Sequence, residues 1–210
     1  ALSQALAALP VNGEREEPAC EVRIHAEPEP RVVEEAMDVS QGKLAMGWRT
    51  GGITVWEEDC PALAVCSAVF GGTSMSKLFM NVRERLSLCY YASSVLEKQK
   101  GLMIVSSGIE FKNYETAKSE ILTQLEDVKA GKIGDDELEG ARRILINSHL
   151  SMEDDQARLE EFWLGQAVAG TERTPKELAA RLETVTREQV AAAARKLELD
   201  TVYFLKGKEQ

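Results

Sequence analysis

A chain of 210 residues that is 44% hydrophobic can bury a substantial core, and its 35 acidic against 25 basic side chains give it a formal net charge of −10. That balance excludes the clustered Lys and Arg of a nucleic-acid-binding face, and it equally disfavours an anionic membrane surface. The acid is spread over solvated faces, as at Glu120, Glu126 and Asp127, and no run of about 18 apolar residues offers a membrane span. The cysteines, Cys20, Cys60, Cys66 and Cys89, form no C-x-x-C pair. They read as reduced, mostly buried thiols rather than a zinc cluster. The N-terminus lacks the basic-then-apolar order of a signal peptide, so the expected setting is cytoplasmic.

Residues 2–9 read as a short Ala/Leu helix closed by Pro10, and residues 12–18 as a polar linker. Together, residues 1–18 are expected to connect to a preceding domain, and residues 19–210 to form one domain. Residues 20–26 alternate weakly and predict a strand, broken by Pro28 and Pro30. Two further strands follow at 31–39 and 43–49. In the second, Leu44, Met46 and Trp48 alternate with smaller or polar residues, the mark of a half-buried strand. Asp59 is placed to cap a helix that tolerates Pro61 in its first turn, and its nearly continuous apolar run over 62–70 predicts deep burial.

Residues 71–94 are the stretch around which the rest is arranged. Gly71 and Gly72 open it at a tight helix junction with close backbone approach. Met75, Leu78, Phe79, Val82 and Leu86 then recur at helical spacing as one apolar stripe. Arg83 flanks the stripe, Glu84 points the opposite way, and Tyr90 lies past the turn on a strand that begins near Leu88. Helix end and strand start can therefore present an arginine and a phenol to one space. A strand over 101–111 completes an antiparallel pair around Lys98, Gln99 and Lys100.

Beyond Asn113 the chain turns helical. Tyr114, Ala117, Ile121, Leu122, Leu125 and Val128 form a stripe ended by Gly131. A second helix starts at Asp135 or Asp136, with Leu138, Ala141, Leu145 and Ile146 inward. A third runs from about Asp155 to Val168 with Leu159, Phe162 and Trp163. Thr174 with Glu177, and Thr186 with Gln189, are capping boxes that start two short helices. A last strand spans 201–206, with Val202 and Phe204 on one face. The order predicts an α+β fold, a mostly antiparallel sheet covered by a block of helices.

The residues Gly71, Gly72, Ser76, Leu78, Arg83, Glu84, Leu88 and Tyr90 keep the spacing of a signature in the pitrilysin/insulinase family of zinc peptidases, which includes the mitochondrial processing peptidases. The chain resembles one non-zinc-binding, inactive C-terminal domain of that family over about residues 19–207, a LuxS/processing-peptidase-like domain. The tail 199–207 and the run 101–111 resemble more narrowly a bacterial branch that lacks a zinc motif and is associated with the 5-aminopentanol modification of elongation factor P. The resemblance implies that two such domains make half of a clamshell, that two halves enclose a chamber, and that zinc sits in one of them. It implies substrate-binding roles for Arg83 and Tyr90.

The inverted zinc motif H-x-x-E-H is missing. His25 is followed by Ala26-Glu27-Pro28-Glu29 and His149 by Leu150-Ser151-Met152-Glu153, neither with a second histidine. No metal ligand, catalytic residue or cofactor is therefore expected in this chain, and zinc is expected in a partner domain or chain. The glycine pair lacks the remainder of a phosphate-binding loop. Cys89 or the carboxylates would need an activating base to make an autonomous hydrolase, and none is paired with them.

Two functions follow. In the first, the domain is inert alone and contributes Arg83 and Tyr90 to a zinc site elsewhere. Its partners are the N-terminal domain of the same parent chain, a zinc-bearing paralogous subunit in a heterodimer, and a peptide substrate. In the second, it is a peptide-binding or scaffold module with no part in catalysis.

Overall fold

The computed structural model describes residues 22–208, together with Gln4. The helix expected over 2–9 (Gln4 apart), the linker over 12–18 and Cys20 lie outside the described residues.

Five strands form one sheet: β1 (Arg31–Met37), β2 (Gly42–Arg49), β3 (Cys89–Glu97), β4 (Leu102–Ile109) and β5 (Glu198–Gly207), in the order β1-β5-β2-β4-β3. Only the β1–β5 pair is parallel; β2 pairs antiparallel with β4 and β5, and β3 with β4. This is the α+β fold with a mostly antiparallel sheet that the element order predicts. The alternation in β2 sends Leu44, Met46 and Trp48 to one face, where all three are fully buried. Residues 22–26 form no strand. The Ala26 N–H donates to Glu198 Oε2 at 2.9 Å, and His25 Nδ1 lies 2.9 Å from Glu198 Oε1, so a side chain rather than a ladder fastens this segment.

Among the described residues, seven helices of eight residues or more follow the strands or separate them: α1 (Cys60–Ser67), α2 (Leu78–Arg85), α3 (Tyr114–Lys129), α4 (Asp135–Leu150), α5 (Gln156–Ala169), α6 (Pro175–Glu183) and α7 (Arg187–Arg195). They cover one face of the sheet. Helix α1 is buried on nearly every side, as its unbroken apolar run requires, and continues as a π-helical turn over Ala68–Gly72. Phe70 meets Trp48 edge to face with ring centres 6.2 Å apart, and Tyr114 of α3 stacks on Phe204 of β5 at 4.1 Å. Ile121, Leu125 and Val128 of α3 and Val190 and Ala194 of α7 complete the layer between helices and sheet.

Local chemistry sets most helix starts. Thr174 accepts from the Glu177 N–H at 3.2 Å while Glu177 returns a carboxylate to the Thr174 N–H at 2.7 Å, and Thr186 and Gln189 do the same. Asp155 caps α5 through the N–H groups of Ala157 and Arg158. Asp59 does not cap α1, because its carboxylate is taken by Lys196 Nζ at 2.8 Å. On α5, Trp163 is exposed, and the helix buries only Gln166 and Ala169.

Candidate substrate-binding site

The site begins where α1 ends. A Cβ on Gly71 would lie 2.7 Å from the Ser94 backbone nitrogen and 2.9 Å from Leu78 Cδ1, so the helix junction touches β3 at a point with no room for a side chain. A Cβ on Gly72 would meet nothing nearer than 3.4 Å. Ser67 and Ser94 add a buried hydroxyl contact of 2.9 Å across the same junction.

The helix that carries Arg83 is wound with a π pattern rather than an α pattern. Leu86 N–H donates to Asn81 O, five residues back. The wider turn changes which residues share a face. Leu78 and Val82 are buried, but Leu86, expected on the apolar stripe, is exposed, and so is Met75, which lies in the turn before the helix. The same winding corrects the expectation for Glu84, whose Oε1 lies 3.4 Å from Arg83 Nη1 instead of pointing away. Polar side chains fix the helix to α3: Asn81 Nδ2 donates to Gln124 Oε1 at 2.7 Å, and Gln124 Nε2 and Arg85 Nη2 both donate to Glu120 Oε1.

The turn into β3 is made by Ser87 in the left-handed region, φ 49°. The Ser87 N–H donates to Arg83 O and the Leu88 N–H to Val82 O, each one residue wider than in a Schellman closure. Strand β3 then opens on a bulge. Cys89 pairs with Ile109 and Tyr91 with Gly108, which leaves Tyr90 as the extra residue. Freed from the ladder, Tyr90 is 61% exposed, and its hydroxyl has no hydrogen bond among the described residues. The Ser107 hydroxyl donates to the Tyr91 carbonyl at 2.9 Å beside the bulge.

Arg83 and Tyr90 line one open recess of about 390 Å3, with Ser87, Glu84 and Glu110 also in its wall. The Arg83 guanidinium lies over the Phe79 ring, 4.7 Å from its centre, a cation–π contact one helical turn away. Glu110 is paired with Lys112 at 2.7 Å. Cys89 borders the recess as a neutral thiol: burial pushes it up, and the opposing pull of Ser107 and Arg83 does not compensate. Among the described residues no three His, Cys, Asp or Glu side chains come together to hold a metal ion. The donors around the recess, Glu84, Glu110 and a neutral Cys89 thiol, do not make a zinc ligand set. Sequence reasoning missed the bulge and the left-handed turn; Ser87 is not the glycine that announces such a turn, and an inserted strand residue leaves no mark in the alternation.

The family model described as the peptidase M16 inactive domain matches residues 2–145. The chain belongs to that family. "Probable inactive metalloprotease YmfF" of Bacillus subtilis is 44% identical over 181 residues, 86% of this chain and 42% of that protein. A second Bacillus subtilis protein, "uncharacterized zinc protease YmxG", is 26% identical over 163 residues, 76% of this chain and 39% of that protein. The crystal structure of a conserved protein from Enterococcus faecalis V583 superposes with a TM-score of 0.87 at 32% identity, covering all of this chain and 49% of that one. The chain thus spans about half the length, or less, of these three relatives. The family resemblance carried by residues 71–94 holds, as does the narrower likeness to the branch without a zinc motif. As a peptidase M16 inactive domain the chain has a reason to lack H-x-x-E-H, and no described helix is long and apolar enough to cross a membrane.

Proposed function

We propose that this M16 inactive domain grips peptide substrate through Arg83 and Tyr90 for a zinc centre carried by another domain or chain. The observation that carries the reading is the β-bulge that turns Tyr90 out of the ladder into the recess that Arg83 lines. Bulges of this kind re-aim side chains beside sites of chemistry. The Arg83 guanidinium offers a planar fork to a peptide carbonyl or carboxylate. Its present partner, Glu84, is an exposed ion pair of the kind worth ~0–1 kcal/mol, so exchanging it for substrate costs little. The Tyr90 hydroxyl, unpartnered and exposed, is free to donate to an oxyanion that forms on water attack. The relative YmxG, named a zinc protease, supports a zinc-bearing partner for such a domain.

A mixing experiment tests this. The full protein is combined with a zinc-bearing relative, and cleavage of a peptide library is followed. Activity is expected to need both chains and to fall by about 10²–10³ with Arg83→Ala or Tyr90→Phe, the scale of losing one oxyanion donor, while the melting temperature stays within a few degrees. Full activity with either variant would sink the proposal.

A second reading is a peptide-binding or scaffold module. It is favoured by β3, which among the described residues lies at the edge of the sheet, the position from which strand addition starts. Peptide binding that survives loss of both Arg83 and Tyr90, in a mixture without cleavage, would select it.

A further inference from the structure

On the helix side of the β3–β4 hairpin, residues of α1, α4, α5 and α6 frame a second recess of about 370 Å3 that shares no residue with the first. Leu96, Leu145, Phe162, Leu178 and Leu182 make its walls apolar. Of its charged groups, Lys98, Arg173 and Arg181 are half-buried, whereas Arg158, Glu97 and Glu161 are exposed. In a chain of net charge −10 this is a local reversal of sign.

The cations are not equivalent. Arg181 is engaged with Glu58 Oε2 at 2.8 Å, and Arg173 donates to the Val55 carbonyl at 3.2 Å. Arg158 uses only Nη2, on the carbonyl and hydroxyl of Ser148 at 2.9 Å each. The Lys98 ammonium has no ion pair among the described residues, yet lies near enough to perturb both His149 and Cys60. His149 lines the same wall, its ring edge-on to Phe162 at 6.3 Å, and its Nδ1 is buried with no hydrogen-bond partner. Burial above all, then Lys98 and Arg158, pushes the imidazole down to about 4. It is therefore neutral at pH 7 and keeps one N–H to donate. With its proton on Nδ1, the buried imidazole and the unpaired ammonium lack the same thing, an acceptor that carries charge.

We propose that this recess binds a small organic carboxylate, its apolar body against Phe162, Leu145 and Leu182 and its carboxylate between Lys98 and His149. A doubly charged phosphate fits less well, because Glu97 and Glu161 stand at the entrance. A free short acid and the C-terminal residue of a peptide present the same chemistry. The assignment is independent of the role proposed for Arg83 and Tyr90.

Calorimetric titration of the 210-residue chain with phenylacetate, with N-acetylphenylalanine and with a tetrapeptide ending in phenylalanine tests it. Each acid is compared with its C-terminal amide. The expected result is a Kd on the order of 0.1–1 mM for at least one acid and at least tenfold weaker binding of the matching amide. The imidazole nitrogen signal of His149 should move on binding. Lys98→Met, checked for an unchanged thermal melt, should weaken binding at least tenfold. Preference for phenylacetate assigns the site to free acids, and preference for the tetrapeptide assigns it to peptide ends. The proposal is overturned if no acid binds at about 10 mM, if amides bind as well as acids, or if folded Lys98→Met binds like the parent.

Discussion

Ser87 holds a left-handed backbone conformation that costs a residue with a Cβ about 1–2 kcal/mol, at the point where α2 turns into β3. Glycine lacks that penalty but has more freedom to lose on folding, so Ser87→Gly should stabilise the domain by about 0.5–1 kcal/mol. A shift of the urea midpoint to higher concentration would show it, and a shift to lower concentration would mean that the Ser87 side chain has a partner worth more than the strain. His149 gives a second prediction at this scale. Its folded value of about 4 lies below the ordinary 6.5, so between these limits the unfolded chain binds the extra proton. Stability should be intact above pH 6.5 and decline as pH falls toward 4. The loss should be about 1 kcal/mol, since the ring is only partly buried and solvent screens part of the effect. Lys98, Arg158, Glu97 and Glu161 share the recess, so the contribution is to be read as the difference between wild type and His149→Gln in urea melts at pH 7 and pH 4.5. Equal pH dependence of the two proteins would refute it.

At the level of elements, two acidic or hydroxyl residues that look alike as helix starts behave differently. Thr174 is half of a reciprocal cap, whereas Asp59 is held by Lys196 from the far end of the chain. Thr174→Ala should therefore cost about 1 kcal/mol, and Asp59→Ala less than about 0.5 kcal/mol, because it removes only an exposed ion pair. Comparable losses in chemical denaturation would contradict the assignment. The contrast also shows what was legible. Capping boxes, the alternation of Leu44, Met46 and Trp48, and the α3 stripe are written in neighbouring residues, and each appears where those residues predict it. The π winding of α2, the exposure of Trp163 and the capture of Asp59 depend on groups distant in sequence. Arg83 and Tyr90 were legible as a spaced pair; the bulge that lets Tyr90 face the recess was not, since it is a property of the register with β4.

For the molecule as a whole, among the described residues, the seven helices leave one face of the sheet uncovered. Across it run Val95, Ile104, Gly47 and Thr201 in one row and Ser93, Ser106, Ala45 and Tyr203 in the next. Val95 and Ile104 are exposed there, small side chains fill much of the remainder, and Tyr203 is tied to Glu35 at 2.7 Å. If this face is outside the core, replacing Val95 with Lys and Ile104 with Glu, directly opposed on β3 and β4, should change stability by no more than about 0.5 kcal/mol while reducing self-association at high concentration. A melting temperature lowered by many degrees would show instead that the face is packed.

The strand order has a consequence for how the domain is made. The last strand in sequence, β5, lies between β1 and β2, so Arg31 meets Thr201 and Leu44 meets Phe204 across most of the chain. During synthesis β1 has no neighbour, and Tyr114 no ring to stack on, until residues 198–207 have left the ribosome. The hairpin of β3 and β4 and the helices α3 to α7 can form earlier from local contacts, but the sheet closes in one late step that joins the most distant segments. A nascent chain arrested before Glu198 would expose the edge of β2 and the apolar face meant for Phe204, a species for chaperones to hold rather than a smaller version of the fold.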